Sequence, residues 1–418
     1  MPKTLALDSL DLSAIIRPDD TVMWGQAGAE PVPLTAALMA QRHAIGAFGV
    51  FLGVPATDTV RPEHADIVRF SAYCGSGANR SLAKAGKLDI LTSHYSQLPA
   101  MIRSGALKID VLMLQLAPAD QNGVYSLGVA HEYLIAALDS ARVVIAEIND
   151  QTPWTHGDRM VVDADLDFVV PTSRSVAEMA SPVAGETERM IAAHAAGLIE
   201  DGATLQFGLG AIPEAILSAL SGHRDLGVHS GTIGDGAARL MEAGVITNAR
   251  KSIDLGATVT GVMMGTRRLY DFADRNPAVQ FRSTDYTHNP DVLARIDRFV
   301  ALNSAIEVDL TGQINAETAG GVYVGAVGGA LDFLRAARRS KGGLPIVALP
   351  STAGKASRIV AGLSGPVSTP RSDAGIIITE HGVADLRGLT LSQRIARMID
   401  IAHPNFRDRL DREAGRPG

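Results

Sequence analysis

Short, nearly unbroken apolar runs recur along the chain, at residues 21–24, 111–116, 143–148, 204–207, 344–349 and 374–379. A strand with one face in water alternates polar with apolar residues. Runs like these need cover on both faces, and a parallel sheet flanked by crossover helices provides it. The stretches 186–199 and 391–401 repeat apolar residues at spacings of three and four, as helices packed on such a sheet do. The sequence therefore predicts an α/β fold built on open, mainly parallel sheets.

An internal echo divides the chain. Thr21-Val-Met-Trp-Gly25 matches Thr204-Leu-Gln-Phe-Gly208 at an offset of 183 residues, an acidic turn precedes each run, and Leu34 falls on Leu217. A chain of 418 residues has room for two or three domains. The echo points to two similar halves, with a break where Ser181-Pro182 and Gly185 interrupt the pattern, so the predicted domains are 1–183 and 184–418.

Composition narrows the function classes. A net charge of −7 gives no broad basic face for nucleic acid or an anionic membrane. The longest uncharged stretch, 44–57, is broken by Gly46, Gly49, Gly53 and Pro55, and reads as a buried strand with turns instead of a membrane span. The first twenty residues lack the basic end and apolar run of a secretory signal, and the lone Cys74 suits a reducing compartment, so a soluble cytoplasmic protein is expected. Cys74 reads as packing, and no His/carboxylate spacing suggests a metal site.

Two glycine-rich segments stand out. Gly208-Leu209-Gly210 follows an apolar strand and precedes a helix-like run, so backbone amides there can approach an anion or a carbonyl oxygen closely. The second segment runs from Gly320-Gly321 to Gly328-Gly329 and leads into Arg335, Arg338, Arg339 and Lys341. Neither makes a nucleotide fingerprint, because the third glycine and the Gly-Lys-Ser/Thr ending are absent.

Over almost its whole length the chain resembles the acetyl-CoA hydrolase/transferase branch of the class I CoA-transferases. The matching stretches include Val143-Val-Ile-Ala-Glu-Ile-Asn-Asp150, Asp201-Gly-Ala-Thr-Leu-Gln-Phe-Gly-Leu-Gly-Ala-Ile-Pro213, Glu242-Ala-Gly-Val-Ile-Thr-Asn248, Pro350-Ser-Thr352, Ala384-Asp-Leu-Arg387 and Ala402-His-Pro404. The resemblance implies two related α/β domains with the site in the cleft between them, coenzyme A as acyl carrier, a carboxylic acid acceptor and a homo-oligomer. It also implies a glutamate that attacks the thioester, passing through a mixed anhydride to a glutamyl-CoA thioester. Backbone amides of Gly208, Leu209, Gly210, Gly328 and Gly329, with Lys341, would then hold CoA and the oxyanion.

At one position the chain departs from this pattern. The family's Val-His-Thr-Glu-x-x-x-Asp-Gly reads here Val228-His-Ser-Gly-Thr-Ile-Gly-Asp-Gly236, so Gly231 stands where the nucleophile belongs. The remaining candidates are Asp235 as general base for water, Glu307 as base or structural carboxylate, and Ser230 as nucleophile if a base is in reach. His381, where relatives often carry Tyr, reads first as an ordinary satisfied histidine. The expected outcome is hydrolysis of a small acyl-CoA by water in the space beside Gly231, or direct transfer to an acceptor. The alternatives are ordinary CoA transfer through a displaced carboxylate and an inactive CoA-binding subunit. If the site is otherwise intact, Glu at position 231 should bring back some transferase activity.

Overall fold

The computed structural model describes residues 1–414, which form two compact units. The first comprises residues 1–180 with 259–287, and the second residues 181–258 with 288–418, of which the described part ends at 414. The expected break near 183 thus lies close to a unit boundary, but residues 259–287 join the first unit. Backbone pairing is the reason: Gln280 and Phe281 run parallel to His156 and Gly157, and Val262 bridges Ala130.

The first unit is built on eight parallel strands, in the order Lys3–Thr4, Phe168–Thr172, Val143–Asn149, Val111–Leu116, Thr21–Trp24, Phe48–Leu52, Val68–Ala72 and Leu88–Ile90. Its core gathers Val22, Val50, Met113, Ile145 and Val170 from the sheet with Leu34 and Leu38 from the helix Val32–Ile45. Removing such apolar faces from water is the main stabilising contribution. The uncharged stretch 44–57 contains the fully buried strand Phe48–Leu52.

The second unit has six strands, in the order Gly227–Val228, Thr204–Phe207, Phe299–Ser304, Leu344–Ala348, Ile376–Thr379 and Gly382–Asp385. All are parallel except the last, which returns antiparallel. Helices Glu186–Ala196 and Leu391–Asp400 lie within the stretches whose periodicity predicts them. Phe299, Ala301, Val347 and Ile377 share a core with Phe333, Leu334 and Met398.

The offset of 183 survives in the backbone. Thr21–Trp24 and Thr204–Phe207 occupy the same place in their sheets, each flanked by its successor on one side and by a later strand on the other. Left-handed residues precede both strands, Asp19 at φ 66° and Gly202 at φ 74°, and others follow, Ala27 at φ 54° and Gly210 at φ 121°. Where such a strand order reverses, the loops at the carboxyl ends of the strands diverge and leave a crevice, the usual ligand position in open α/β sheets.

Candidate functional site

In the second unit the residues of interest cluster at the carboxyl edge of the sheet. The strand Thr204–Phe207 ends in Gly208-Leu209-Gly210, and the helix Ala211–Ala219 begins at once. A Cβ at Gly208 or Gly210 would meet no atom within 4 Å, and Gly210 holds a left-handed conformation that favours glycine. This turn is open, and Leu209 is one of the few exposed large apolar side chains.

The neighbouring strand, Gly227–Val228, continues into His229, Ser230 and Gly231. The His229 N–H donates to the Leu205 carbonyl at 3.0 Å. Ser230 is fully buried, its hydroxyl donating to the Phe207 carbonyl at 3.0 Å and accepting from the Phe207 N–H at 3.3 Å. Ser230 therefore fastens Gly231 to the end of the central strand, and these bonds occupy the hydroxyl that a nucleophile would need.

The space beside Gly231 holds a side chain that sequence reasoning missed. A Cβ at this position would lie 2.7 Å from Cε1 and 3.0 Å from Nε2 of His288, and a Cβ at Gly329 would lie 2.6 Å from the same Nε2. The imidazole is thus wedged between the two glycines, with its ring centroid 4.5 Å from that of Phe333. Burial pushes its pKa down to about 3, so it is neutral at physiological pH. The expectation of water in this volume is corrected: a ring fills the place where a side chain at 231 would begin.

Local sequence explains how His288 is held. Asn289 caps the short helix Pro290–Leu293, its Oδ1 accepting from the N–H of Asp291 at 2.8 Å and of Val292 at 3.4 Å. Asn followed by Pro is a readable helix start. Nothing in the sequence, however, pairs residue 288 with residues 231 and 329.

The other predicted residues separate into three places. Asp235, 8% exposed, opens the helix Asp235–Glu242, four residues beyond Gly231, and the first turn of a helix favours negative charge. Gly328, at φ 57°, and Gly329 lead into the helix Ala330–Arg339, whose Phe333 packs on His288. Glu307 belongs to a different group. Its Oε1 accepts from Asn315 Nδ2 at 3.0 Å, the Ser364 N–H at 2.7 Å, the Ser364 hydroxyl at 2.9 Å and the Gly365 N–H at 3.2 Å. It ties the strand Glu307–Asp309 to a loop, which is structural work.

Lys341 is not brought to this edge. It precedes the strand Leu344–Ala348, and its carbonyl accepts from the N–H of Arg298, just before Phe299–Ser304. Both strands run parallel to Thr204–Phe207, so Lys341 lies at the amino edge, roughly 15 Å away at about 3.3 Å per strand residue. There it lines a cavity of about 370 Å³ with Arg250, Ser252, Asp297, Arg298 and Gly342. The carboxyl edge does include His381, which follows Ile376–Thr379 and stands 3.5 Å from Glu380 Oε1, edge-on to His403.

The crevice of the first unit is filled differently. Gln26 Nε2 donates to Tyr95 Oη at 3.0 Å and to both oxygens of Glu132 at 2.9 Å, and its Oε1 accepts from Tyr73 Oη at 2.7 Å. Tyr95 also donates to Glu132. Burial raises the Glu132 carboxyl to about 8, although the Tyr95 and Gln26 hydrogen bonds pull the other way. Cys74, in the same cluster, is buried and its thiol is pushed up to about 11, mainly by desolvation, so it is not a ready nucleophile. Among the described residues no helix is long and apolar enough to cross a membrane.

Comparison with known proteins identifies the family. Residues 7–179 match the acetyl-CoA hydrolase/transferase N-terminal domain and residues 265–414 the C-terminal domain, with the Gly208 and Gly231 segments lying between the two matches. The chain is 41% identical over 349 residues to 4-hydroxybutyrate coenzyme A transferase of Clostridium kluyveri, an alignment covering 82% of this chain and 81% of that one. The crystal structure of RipA from Yersinia pestis superposes with a TM-score of 0.93 at 32% identity, covering 99% and 97% of the two chains. That of 4-hydroxybutyrate CoA-transferase from Porphyromonas gingivalis gives 0.85 at 34%, with the same coverage.

The chain belongs to the acetyl-CoA hydrolase/transferase family. It is an enzyme of acyl-CoA thioesters, with coenzyme A as the acyl carrier.

Proposed function

We propose that this enzyme hydrolyses a small acyl-CoA without a glutamyl-CoA intermediate. One observation carries the reading: position 231 has no side chain, and a neutral imidazole stands where one would start. Of the three groups named from the sequence, Ser230 and Glu307 are committed to structural hydrogen bonds. Asp235, at the start of the helix four residues beyond Gly231, is the carboxylate that takes a proton from water. The Gly208 N–H is taken up by the Leu302 carbonyl at 3.3 Å, so as water adds to the thioester carbon the oxyanion rests on the backbone amides of Leu209, Gly210 and Gly329, and collapse breaks the C–S bond. The products are a carboxylic acid and CoA, whose thiolate recovers the proton from Asp235.

The test is release of free CoA from a panel of acyl-CoAs, with and without acetate or succinate. Acceptor-independent release supports hydrolysis. Release or exchange only with an acceptor supports direct transfer, and CoA binding without turnover supports a binding subunit. Borohydride or hydroxylamine trapping of a glutamyl thioester would refute the non-covalent route. We further propose a homo-oligomer in the cytoplasm, and light scattering checks the assembly.

A further inference from the structure

The amino edge of the second sheet holds an arginine in a conformation that favours glycine. Three neighbouring strands, Thr204–Phe207, Phe299–Ser304 and Leu344–Ala348, are each preceded by a left-handed residue: Gly202 at φ 74°, Arg298 at φ 50° and Gly342 at φ 73°. Glycine adopts this conformation without steric cost, whereas a Cβ crowds the backbone. The two outer positions use glycine, and the middle one keeps a long cationic side chain. The backbone does not account for that choice. The Arg298 N–H donates to the Lys341 carbonyl at 2.8 Å and its carbonyl accepts from the Thr204 N–H at 3.1 Å, which glycine would do equally well.

The Arg298 side chain lines the cavity of about 370 Å³ at this edge, with Arg250, Ser252, Asp297, Lys341 and Gly342, all within the second unit. Bare backbone seats both guanidinium stems: a Cβ on Gly342 would lie 3.3 Å from Arg298 Cγ, and one on Gly202 would lie 3.0 Å from Arg250 Cδ and Nε. Among the described residues no carboxylate pairs with Arg250, Arg298 or Lys341, and Arg298 Nε is buried without an acceptor. Ser252 Oγ accepts from the Asp297 N–H at 3.0 Å and keeps its own proton to donate. On a chain of net charge −7, this one cavity gathers three cations against a single carboxylate.

We infer that the cavity binds a phosphate dianion, free or as the monoester of a small organic molecule. The inference does not depend on the reaction proposed above. A guanidinium fork matches two phosphate oxygens at once, and a lysine adds a point charge. Three cations less one carboxylate leave +2, the complement of a dianion. The volume suits a small ligand.

Calorimetric titration of the full chain with inorganic phosphate and with glycerol 3-phosphate, at constant ionic strength, tests this without any turnover. A Kd of about 1 mM or below is expected, and no binding at about ten times that concentration would overturn the site. Arg298→Gly is the decisive variant, because glycine suits φ 50° while the guanidinium is lost. It should leave stability nearly unchanged and weaken phosphate about tenfold or more, the scale of hydrogen bonds to a charged group. Asp297→Asn should tighten binding, by up to about fivefold. Unchanged affinity in Arg298→Gly, or a lost fold there together with unchanged affinity in Arg250→Ala, would overturn the site. Tighter binding of glycerol 3-phosphate would make a monoester the ligand, and equal affinities the free ion. Tighter binding of acetate than of either would overturn the phosphate assignment.

Discussion

The central strands of the two units can be laid over each other residue by residue, and their endings differ. In the first unit Gly25 is crowded, a Cβ there lying 2.6 Å from the Cβ of Ala29, and the next residue, Gln26, is buried in hydrogen bonds to Tyr73, Tyr95 and Glu132. In the second unit Gly208 is open and Leu209 is exposed. The same topology makes a crevice in both. One crevice is closed by a polar network that rigidifies the unit, and the other is open at Gly208 and Gly210. The fold provides the place, and the side chains at each loop decide between packing and chemistry.

The sharpest way to break the comparison is to substitute the glycines that face each crevice. A Cβ at Gly53 would lie 2.5 Å from Gln26 Cβ and 2.6 Å from Tyr133 Oη. Gly53→Ala should therefore destabilise the chain by about 1–3 kcal/mol in chemical denaturation, the usual range for overpacking. Gly208→Ala meets nothing within 4 Å and should change stability by less than about 0.5 kcal/mol. A large loss at Gly208 would mean that the second crevice is packed too.

Next in size is Gly231→Glu. The preserved loop alone suggests that the glutamate would restore transfer, but the ring of His288 occupies its first carbon position. Gly231→Glu by itself should give no acetate-dependent CoA transfer and a lower melting temperature. Gly231→Glu combined with His288→Gly should recover measurable exchange and trap a glutamyl thioester. Transfer by the single variant would show that the ring moves aside freely.

The polar network of the first unit predicts a pH signature. Glu132 ionises near 8 in the folded chain against an ordinary 4.5, so between these values the folded state holds a proton that the unfolded state has lost. This contribution is fully present below about 4.5, falls as pH rises through the window, and levels off above about 8. Buried His131 and His288, both pushed to about 3 from 6.5, act in the opposite sense: their contribution is present above 6.5 and is lost as pH falls toward 3. Melting temperatures of Glu132→Gln should lose the decline on the alkaline side and keep the acid one. An unchanged alkaline decline would place its origin outside the cluster.

Much of this was legible in the sequence because it depends on neighbours along the chain. Unbroken apolar runs gave the strands, the offset of 183 lines up the central strands of the two sheets, and Gly208–Gly210 followed its strand as expected. Residues 259–287 were misassigned because membership of a unit is decided by long-range pairing, as between Gln280 and His156. His288 and the Glu132 cluster were invisible for the same reason: a buried imidazole has no period, and its partners come from 57 and 41 positions away, at 231 and 329. Glu307 and Lys341 were readable as residue types but not as places.

The smallest predicted effect concerns Lys341. Because it lies at the amino edge of the second sheet, Lys341→Ala should leave both kcat and KM within about twofold, as a surface substitution does when it touches neither reacting atoms nor core. The pocket it shares with Arg250 and Arg298 nonetheless carries three cations against one Asp297. The two kinetic constants separate the cases: a lowered kcat would put Lys341 in the chemistry against the strand register, while a raised KM at unchanged kcat would mean uniform binding of the carrier there.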